Sequence, residues 1–137
     1  MNNCLFCKII ANKIPASKIY EDDEFVVFLD IKPVNPGHCL IVPKEHYARL
    51  DITPDELAGN MTRLVPMLGK AIMRATGAGG FNLMVNNGTV AGQSIDHVHF
   101  HIIPRLEGDG YQVWHGDQQL SDAQALDMAN GIRRYLQ

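Results

Sequence analysis

His97, His99 and His101 alternate with Val98, Phe100 and Ile102 in the run His97-Val98-His99-Phe100-His101-Ile102-Ile103. Alternation is the period of a β-strand, so it sets three imidazoles on one face and three apolar side chains on the other. Three adjacent imidazoles add little to packing and, as cations, repel one another. Histidine is the side chain suited to proton transfer, attack on phosphorus and metal ligation near neutral pH. The run therefore predicts a catalytic or metal-bearing strand. Ahead of it lies Asn86-Asn87-Gly88-Thr89-Val90-Ala91-Gly92-Gln93-Ser94, a loop whose glycines let backbone N–H groups approach an anion. Gln93 and Ser94, directly before the imidazoles, stand where side-chain donors would meet a reacting group.

A second constellation is the pair Cys4-x-x-Cys7. It is open to three readings: a redox motif, one face of a short helix, or half of a zinc site. No second C-x-x-C follows, and spacing alone does not complete a metal site.

The rest of the chain must position these groups. At 137 residues it suits one domain, 1–137, with a core large enough to need no disulfide framework. Apolar residues at 46% and charged residues at 20% are ordinary for a globular protein. The net charge of −3 argues against broad electrostatic binding of nucleic acid, although a local basic patch would still hold one phosphate ester. Three cysteines, an odd number, suit a reducing compartment. The start Met1-Asn2-Asn3-Cys4 has no basic segment followed by a long apolar one, and no apolar run reaches membrane-spanning length. The expectation is a soluble cytoplasmic protein that engages neither nucleic acid nor membrane.

A short helix is expected over 4–11. Lys18–Tyr20 and Phe25–Leu29 read as strands of a hairpin around the acidic turn 21–24. Pro33, Pro36 and Gly37 break the chain before a strand over 38–42. Thr53-Pro54-Asp55-Glu56 reads as a capping box, with Thr53 as N-cap, Pro54 first in the helix and Glu56 third. Leu57, Met61, Leu64, Leu68, Ala71 and Ala75 then recur at helical spacing until Gly77, with Pro66 bending the helix on the way. Strands follow over 81–86 and 95–104. Ser121-Asp122-Ala123-Gln124 is a second capping box, opening a C-terminal helix with Ala125, Met128, Ala129, Ile132 and Leu136 on one side. The order predicts an α+β fold: about five antiparallel strands, one long inserted helix and one at the end. Cys39 reads as a buried thiol and Trp114 as a packing residue or subunit contact. His115 reads as solvated surface, and Arg105 as a polyphosphate contact or simply the strand's end.

The chain resembles the histidine-triad (HIT) family, in the branch of nucleotide-binding phosphoramidases of the bacterial zinc-containing type. The resemblance rests on Phe6-Cys7-Lys8-Ile9-Ile10 with Ile14-Pro15, Phe28-Leu29-Asp30-Ile31-Lys32-Pro33, and Gly37-His38-Cys39-Leu40-Ile41-Val42-Pro43-Lys44. It continues through Gly92-Gln93-Ser94 into the triad. The related galactose-1-phosphate uridylyltransferase branch carries glutamine as its third triad member, which His101 is not.

The resemblance implies a HIT fold and assigns roles. His99 matches the nucleophile that attacks the α-phosphorus to form a nucleotidyl-histidine, which water then cleaves. His101 matches a group that stabilises the phosphate oxygens. Ser94 matches a residue near the leaving group, Gln93 and Gly92 residues near the phosphate, and Asn86 a residue holding the 5′ end of the nucleotide. Asp30 matches the acceptor of the ribose hydroxyls. Ile31 and Phe6 match apolar residues that sandwich the base, although Phe6 equally suits core packing. His38 matches a histidine beside the site, in a structural or a chemical role. Cys4, Cys7, His46 and His97 match a complete structural zinc set, one ion per chain, with no organic cofactor. The family is typically homodimeric through the long helix and the strand before the triad. The implied activity is hydrolysis of purine nucleoside 5′-phosphoramidates or related nucleoside monophosphate derivatives. Its rivals are a dinucleoside polyphosphate hydrolase of the same fold and a nucleotide-binding interaction protein with incidental catalysis.

Overall fold

The acidic turn after β1 (Lys18–Glu21) reverses the chain because the Asp22 carboxylate accepts the backbone N–H groups of Glu24 and Phe25, at 2.8 and 2.7 Å. The chain returns as β2 (Phe25–Leu29), antiparallel to β1. The computed structural model, which describes residues 3–114 and 116–136, completes a five-stranded sheet with β3 (Cys39–Pro43), β4 (Gly80–Met84) and β5 (Phe100–Arg105). The strand order is β1-β2-β3-β5-β4 and every pairing is antiparallel, as the sequence predicts. His115 lies outside the described residues.

The inner strands β2 and β3 are apolar on both faces, and each face has its own core. Phe25, Val27, Cys39, Ile41, Phe100 and Ile102 pack toward the helices α2 (Asp55–Arg63) and α3 (Val65–Thr76), meeting Met61, Val65, Leu68 and Ile72. Val26, Phe28, Leu40 and Val42 pack on the opposite side against Phe6 and Ile9 of α1 (Leu5–Ile10). At roughly 1.5–3 kcal/mol for each fully buried large apolar side chain, these contacts hold α1, which is far too short to persist alone.

Two helix expectations change in detail. Thr53 does not cap α2; its hydroxyl donates to the Arg49 carbonyl at 2.7 Å, and Pro54 occupies the N-cap position. The preceding 3-10 turn, Leu50–Ile52, draws Thr53 into its own closure through a Thr53 N–H to Leu50 C=O bond of 3.1 Å. Pro66 does more than bend one helix. The chain breaks at Leu64 and restarts, which puts Pro66 in the first turn of α3, where its missing N–H costs no intrahelical bond. α3 ends at Gly77 in the left-handed conformation, as expected.

The triad strand is also shorter than predicted. The ladder begins at Phe100, opposite Ile41, although β3 itself runs on to Pro43; the Val98 N–H turns aside to the Tyr47 carbonyl at 2.7 Å. The side-chain alternation survives the loss of the ladder: Val98, Phe100 and Ile102 all enter the helix-side core.

The C-terminal helix α4 (Asp122–Arg133) has the predicted capping box, with Ser121 and Gln124 exchanging bonds of 3.1 and 2.9 Å. Its apolar side, however, covers nothing: Met128 and Ile132 are 58% and 56% exposed. Trp114 is 84% exposed and borders an open groove beside Leu83 and Ile103 rather than entering a core. Among the described residues no helix is long and apolar enough to cross a membrane.

Candidate active site and metal centre

Four imidazoles on the α1 side of the sheet have their protons assigned by neighbours that have no choice of role. Burial holds His38, His97, His99 and His101 below the ordinary imidazole range, His97 and His101 to about 4, so each ring is neutral at pH 7 and carries one proton. His99 Nδ1 stands 2.7 Å from the His97 carbonyl, which only accepts; the proton is on Nδ1 and Nε2 keeps its lone pair. His97 Nε2 stands 2.8 Å from the Pro43 carbonyl, so Nδ1 is the bare nitrogen. The Val34 N–H only donates, and it meets His38 Nδ1 at 3.0 Å; His38 therefore bears its proton on Nε2. That proton points at His101 Nδ1, 2.9 Å away, which leaves His101 with Nε2–H. One ring thus offers a nucleophilic nitrogen and its neighbour an N–H donor, the pairing that attack on a phosphoryl group needs. The two ring centroids lie 4.9 Å apart.

A cleft of about 380 Å³ opens over these rings. Its walls include Phe6, Asp30, Ile31, Ser94, His99 and His101, so six of the residues singled out from sequence meet in one cavity. Phe6 is buried in the α1-side core, as its packing reading expects, and its ring also meets His99 edge to face with centroids 5.0 Å apart. Ile31 is fully outside the core at 89% exposure, an apolar surface free to meet a flat ligand. The Asp30 carboxylate accepts the Lys32 N–H at 2.9 Å through Oδ1, and its Oδ2 lies 3.5 Å from His38 Nε2. Acceptor capacity therefore remains at the cleft wall.

Other predicted residues shape the site without entering the cleft. Gln93 is buried and spends its whole amide on the loop: Oε1 accepts the Gly88 N–H at 2.7 Å, and Nε2 donates to the Ala48 and Ile95 carbonyls at 2.6 and 3.0 Å. Gly92 turns the chain at φ +93°, and the Asn86 amide lies over it, 3.6 Å from where a Cβ would stand. Arg105 does not line this cleft; it borders a separate groove with Asn82, Ile103 and Tyr111. Its guanidinium is bound by Asp109 at 2.8 and 2.9 Å and by Asn82 at 2.9 Å, and it also donates to the Tyr111 carbonyl. Cys39 is a buried thiol as expected, pushed up to about 12 by burial. The role of His38, undecided from sequence, follows from a contact across 63 residues that no local pattern signals.

The bare Nδ1 of His97 faces Cys4, Cys7 and His46. Cys4 Sγ and Cys7 Sγ stand 3.4 and 3.6 Å from it, His46 Nδ1 is 3.1 Å from it, and Cys7 Sγ is 3.3 Å from His46 Nδ1. A tetrahedron with Zn–S of about 2.3 Å and Zn–N of about 2.0–2.1 Å has edges of roughly 3.3–3.8 Å. The donor set fits zinc closely, and the Pro43 carbonyl supplies the outer bond that orients a metal-bound imidazole. Four protein ligands leave no open position, so such an ion is structural. Asp30, His38 and His101 also converge, but there the only lone pair of His38 is taken by Val34, and the donor set does not suit a cation.

The model of the HIT domain matches residues 11–108. The chain belongs to the HIT family. Relatives within it include an adenylylsulfatase, HINT3, of Arabidopsis thaliana, 44% identical over 98% of this chain and 70% of its own length. An adenosine 5′-monophosphoramidase of Schizosaccharomyces pombe is 43% identical over 75% of this chain and 74% of its own. Among solved HIT structures, a Bacillus subtilis member superposes with a TM-score of 0.92 at 39% identity, covering 98% of both chains. A zinc-bound HIT protein of Mycobacterium smegmatis superposes at 0.78 with 32% identity, covering 95% of this chain and 98% of that one.

Proposed function

We propose that this HIT protein hydrolyses purine nucleoside 5′-phosphoramidates, or related nucleoside monophosphate derivatives, through a covalent intermediate on His99. The observation that carries the reading is the His99 ring: buried beside the cleft, neutral, with Nδ1–H held by the His97 carbonyl and Nε2 bare. Nε2 attacks the α-phosphorus; the bond to the leaving amine breaks, and the amine departs with the Ser94 hydroxyl proton, which the water of the second step restores. His101 Nε2–H stabilises the charge on the phosphoryl oxygens. Water then cleaves the phosphorus–imidazole bond, releasing the nucleoside monophosphate and returning the lone pair to His99. Asp30 receives the ribose hydroxyls, while Phe6 and Ile31 flank the base. Gln93, Gly92 and Asn86 act near the phosphate by shaping the loop that faces it.

One structural zinc per chain on Cys4, Cys7, His46 and His97 belongs to this reading, as do a single domain over 1–137, a cytoplasmic location and a homodimer. The exposed apolar side chains Met67 on α3 and Leu83 on the edge strand β4 support the dimer. The adenylylsulfatase relative favours a second substrate class, the phosphate–sulfate mixed anhydride. The same attack serves it, and its leaving group needs no proton.

The test is a panel of adenosine 5′-phosphoramidate, adenylyl sulfate and a dinucleoside polyphosphate, with wild type and His99→Asn. Turnover should fall by roughly 10³-fold or more in the variant while nucleotide binding persists. An acid-free quench with α-labelled substrate should trap phosphorus on histidine in wild type only. Label on His101, or near wild-type turnover in His99→Asn, overturns the mechanism.

A further inference from the structure

The segment between β2 and β3 supplies both Asp30 and His38, yet it is irregular chain broken by Pro33, Pro36 and Gly37. Besides the Asp30 N–H to His38 C=O bond of 2.9 Å, what holds it is a buried amide outside the cleft. Asn35 is 9% exposed, and its Nδ2 donates to the Pro104 carbonyl at 3.0 Å and to Asp109 Oδ2 at 2.9 Å. Its main-chain carbonyl accepts the His38 N–H at 3.1 Å. Asp109 is in turn a rigid post. Besides Asn35 its carboxylate accepts both Arg105 bonds and the N–H groups of Leu106 and Tyr111, at 3.1 and 3.0 Å, which hold it well below the usual carboxylate range.

We propose that Asn35, braced by Asp109, is a positioning residue that sets the proton positions of His38 and His101. Its side chain tethers to Pro104 and Asp109 the turn that brings the Val34 N–H onto His38 Nδ1. Without that donor, His38 is free to carry its proton on Nδ1 and turn a bare Nε2 toward His101. Two lone pairs cannot face each other at 2.9 Å, so His101 must then move its proton to Nδ1. Its Nε2 changes from a donor into an acceptor, which repels a phosphoryl oxygen instead of binding it. The Arg105–Asp109 pair, remote from the cleft, thereby reaches the reaction through one amide and two imidazoles. The catalytic consequence rests on the role proposed for His101; the tautomeric consequence does not.

The experiment is imidazole ¹⁵N–¹H correlation NMR on the full chain at pH 7, with kinetics on adenosine 5′-phosphoramidate. In wild type, His38 and His101 should show protonated Nε2 and His99 protonated Nδ1. Asn35→Ala should mix the tautomers of His38 and His101 but leave His99 unchanged, and should lower kcat by about 10-fold with KM within about 2-fold. Asp109→Asn, which keeps the side-chain shape, should shift the same two rings and serves if Asn35→Ala does not fold. Unchanged His38 and His101 nitrogens in a folded variant overturn the proposal, as does a shift of His99 along with them, which signals general loosening. Tautomers that move while kcat stays constant uphold the positioning and refute the role given to His101.

Discussion

The short helix α1 and the C-terminal helix α4 are opposite solutions to the same problem. α1 spans six residues against twelve for α4, yet it buries Phe6 and Ile9 and aims two thiols at His46 and His97. α4 has a complete capping box and no buried residue. Local signals are enough to form a helix, and they say nothing of where it docks; α1 shows the converse, a helix whose existence depends on what it touches. The helix that depends on long-range contacts is also the one that lines the candidate site.

The largest break in this comparison should come from the metal. Chelation, or Cys4→Ser, is expected to cost on the order of 3–5 kcal/mol of stability. That is less than for a metal-nucleated finger, because both sheet faces keep their cores without the ion. Zinc content by mass spectrometry and denaturant unfolding check it; α1 amides should lose exchange protection while α4 amides do not change. Next in size is Asp30→Ala, which should weaken ribonucleotide binding by roughly 1.5–3 kcal/mol. Calorimetry with the 2′,3′-dideoxy nucleotide is the control, since equal weakening there removes Asp30 from the sugar.

A smaller effect follows from pH. His101 titrates at about 4 when folded, against about 6.5 for an unfolded chain. The unfolded state therefore binds the proton first as pH falls, and stability drops between pH 6.5 and 4, levelling below. After allowance for partial solvent access the drop is on the order of 2 kcal/mol. Unfolding curves at several pH values should be steeper in pH for wild type than for His101→Asn by that amount; parallel dependences would remove His101 from the buried set. The smallest effect is expected at the other pole: Ser121→Ala should loosen α4 by about 1 kcal/mol, read by amide exchange, without shifting the global unfolding midpoint.

How much of this was legible before folding depends on how far apart the partners are in the chain. The alternation of His97, His99 and His101 with Val98, Phe100 and Ile102 is a local pattern, and it reports the correct faces even though the ladder starts only at Phe100. Ser121 with Gln124 is local too, and it forms as read. Thr53 with Glu56 is an equally good local signal, but a neighbouring 3-10 turn competes for the same hydroxyl and wins. Ser94 was legible from its place just before the triad, whereas Asp30 and Ile31 were legible only through family resemblance, because spacing alone does not join the end of β2 to that loop. The contacts of His38 with His101 and of Asn35 with Asp109 span 63 and 74 residues, and only the folded sheet brings them together.

Residue 97 has one further consequence. Its ring is directed at the metal centre, while its carbonyl is the seat on which the His99 ring rests. An imidazole in a cavity is a two-position rotor, since a half-turn about its terminal torsion exchanges Nδ1 with a carbon. The seat biases that rotor to one position, so Nε2, the nitrogen proposed to attack, is aimed before any ligand arrives. Clamping the side chain of the residue that provides the seat keeps the seat itself from drifting. A zinc ion held by Cys4, Cys7, His46 and His97 would touch no substrate and would serve as the bearing on which the His99 ring is aimed.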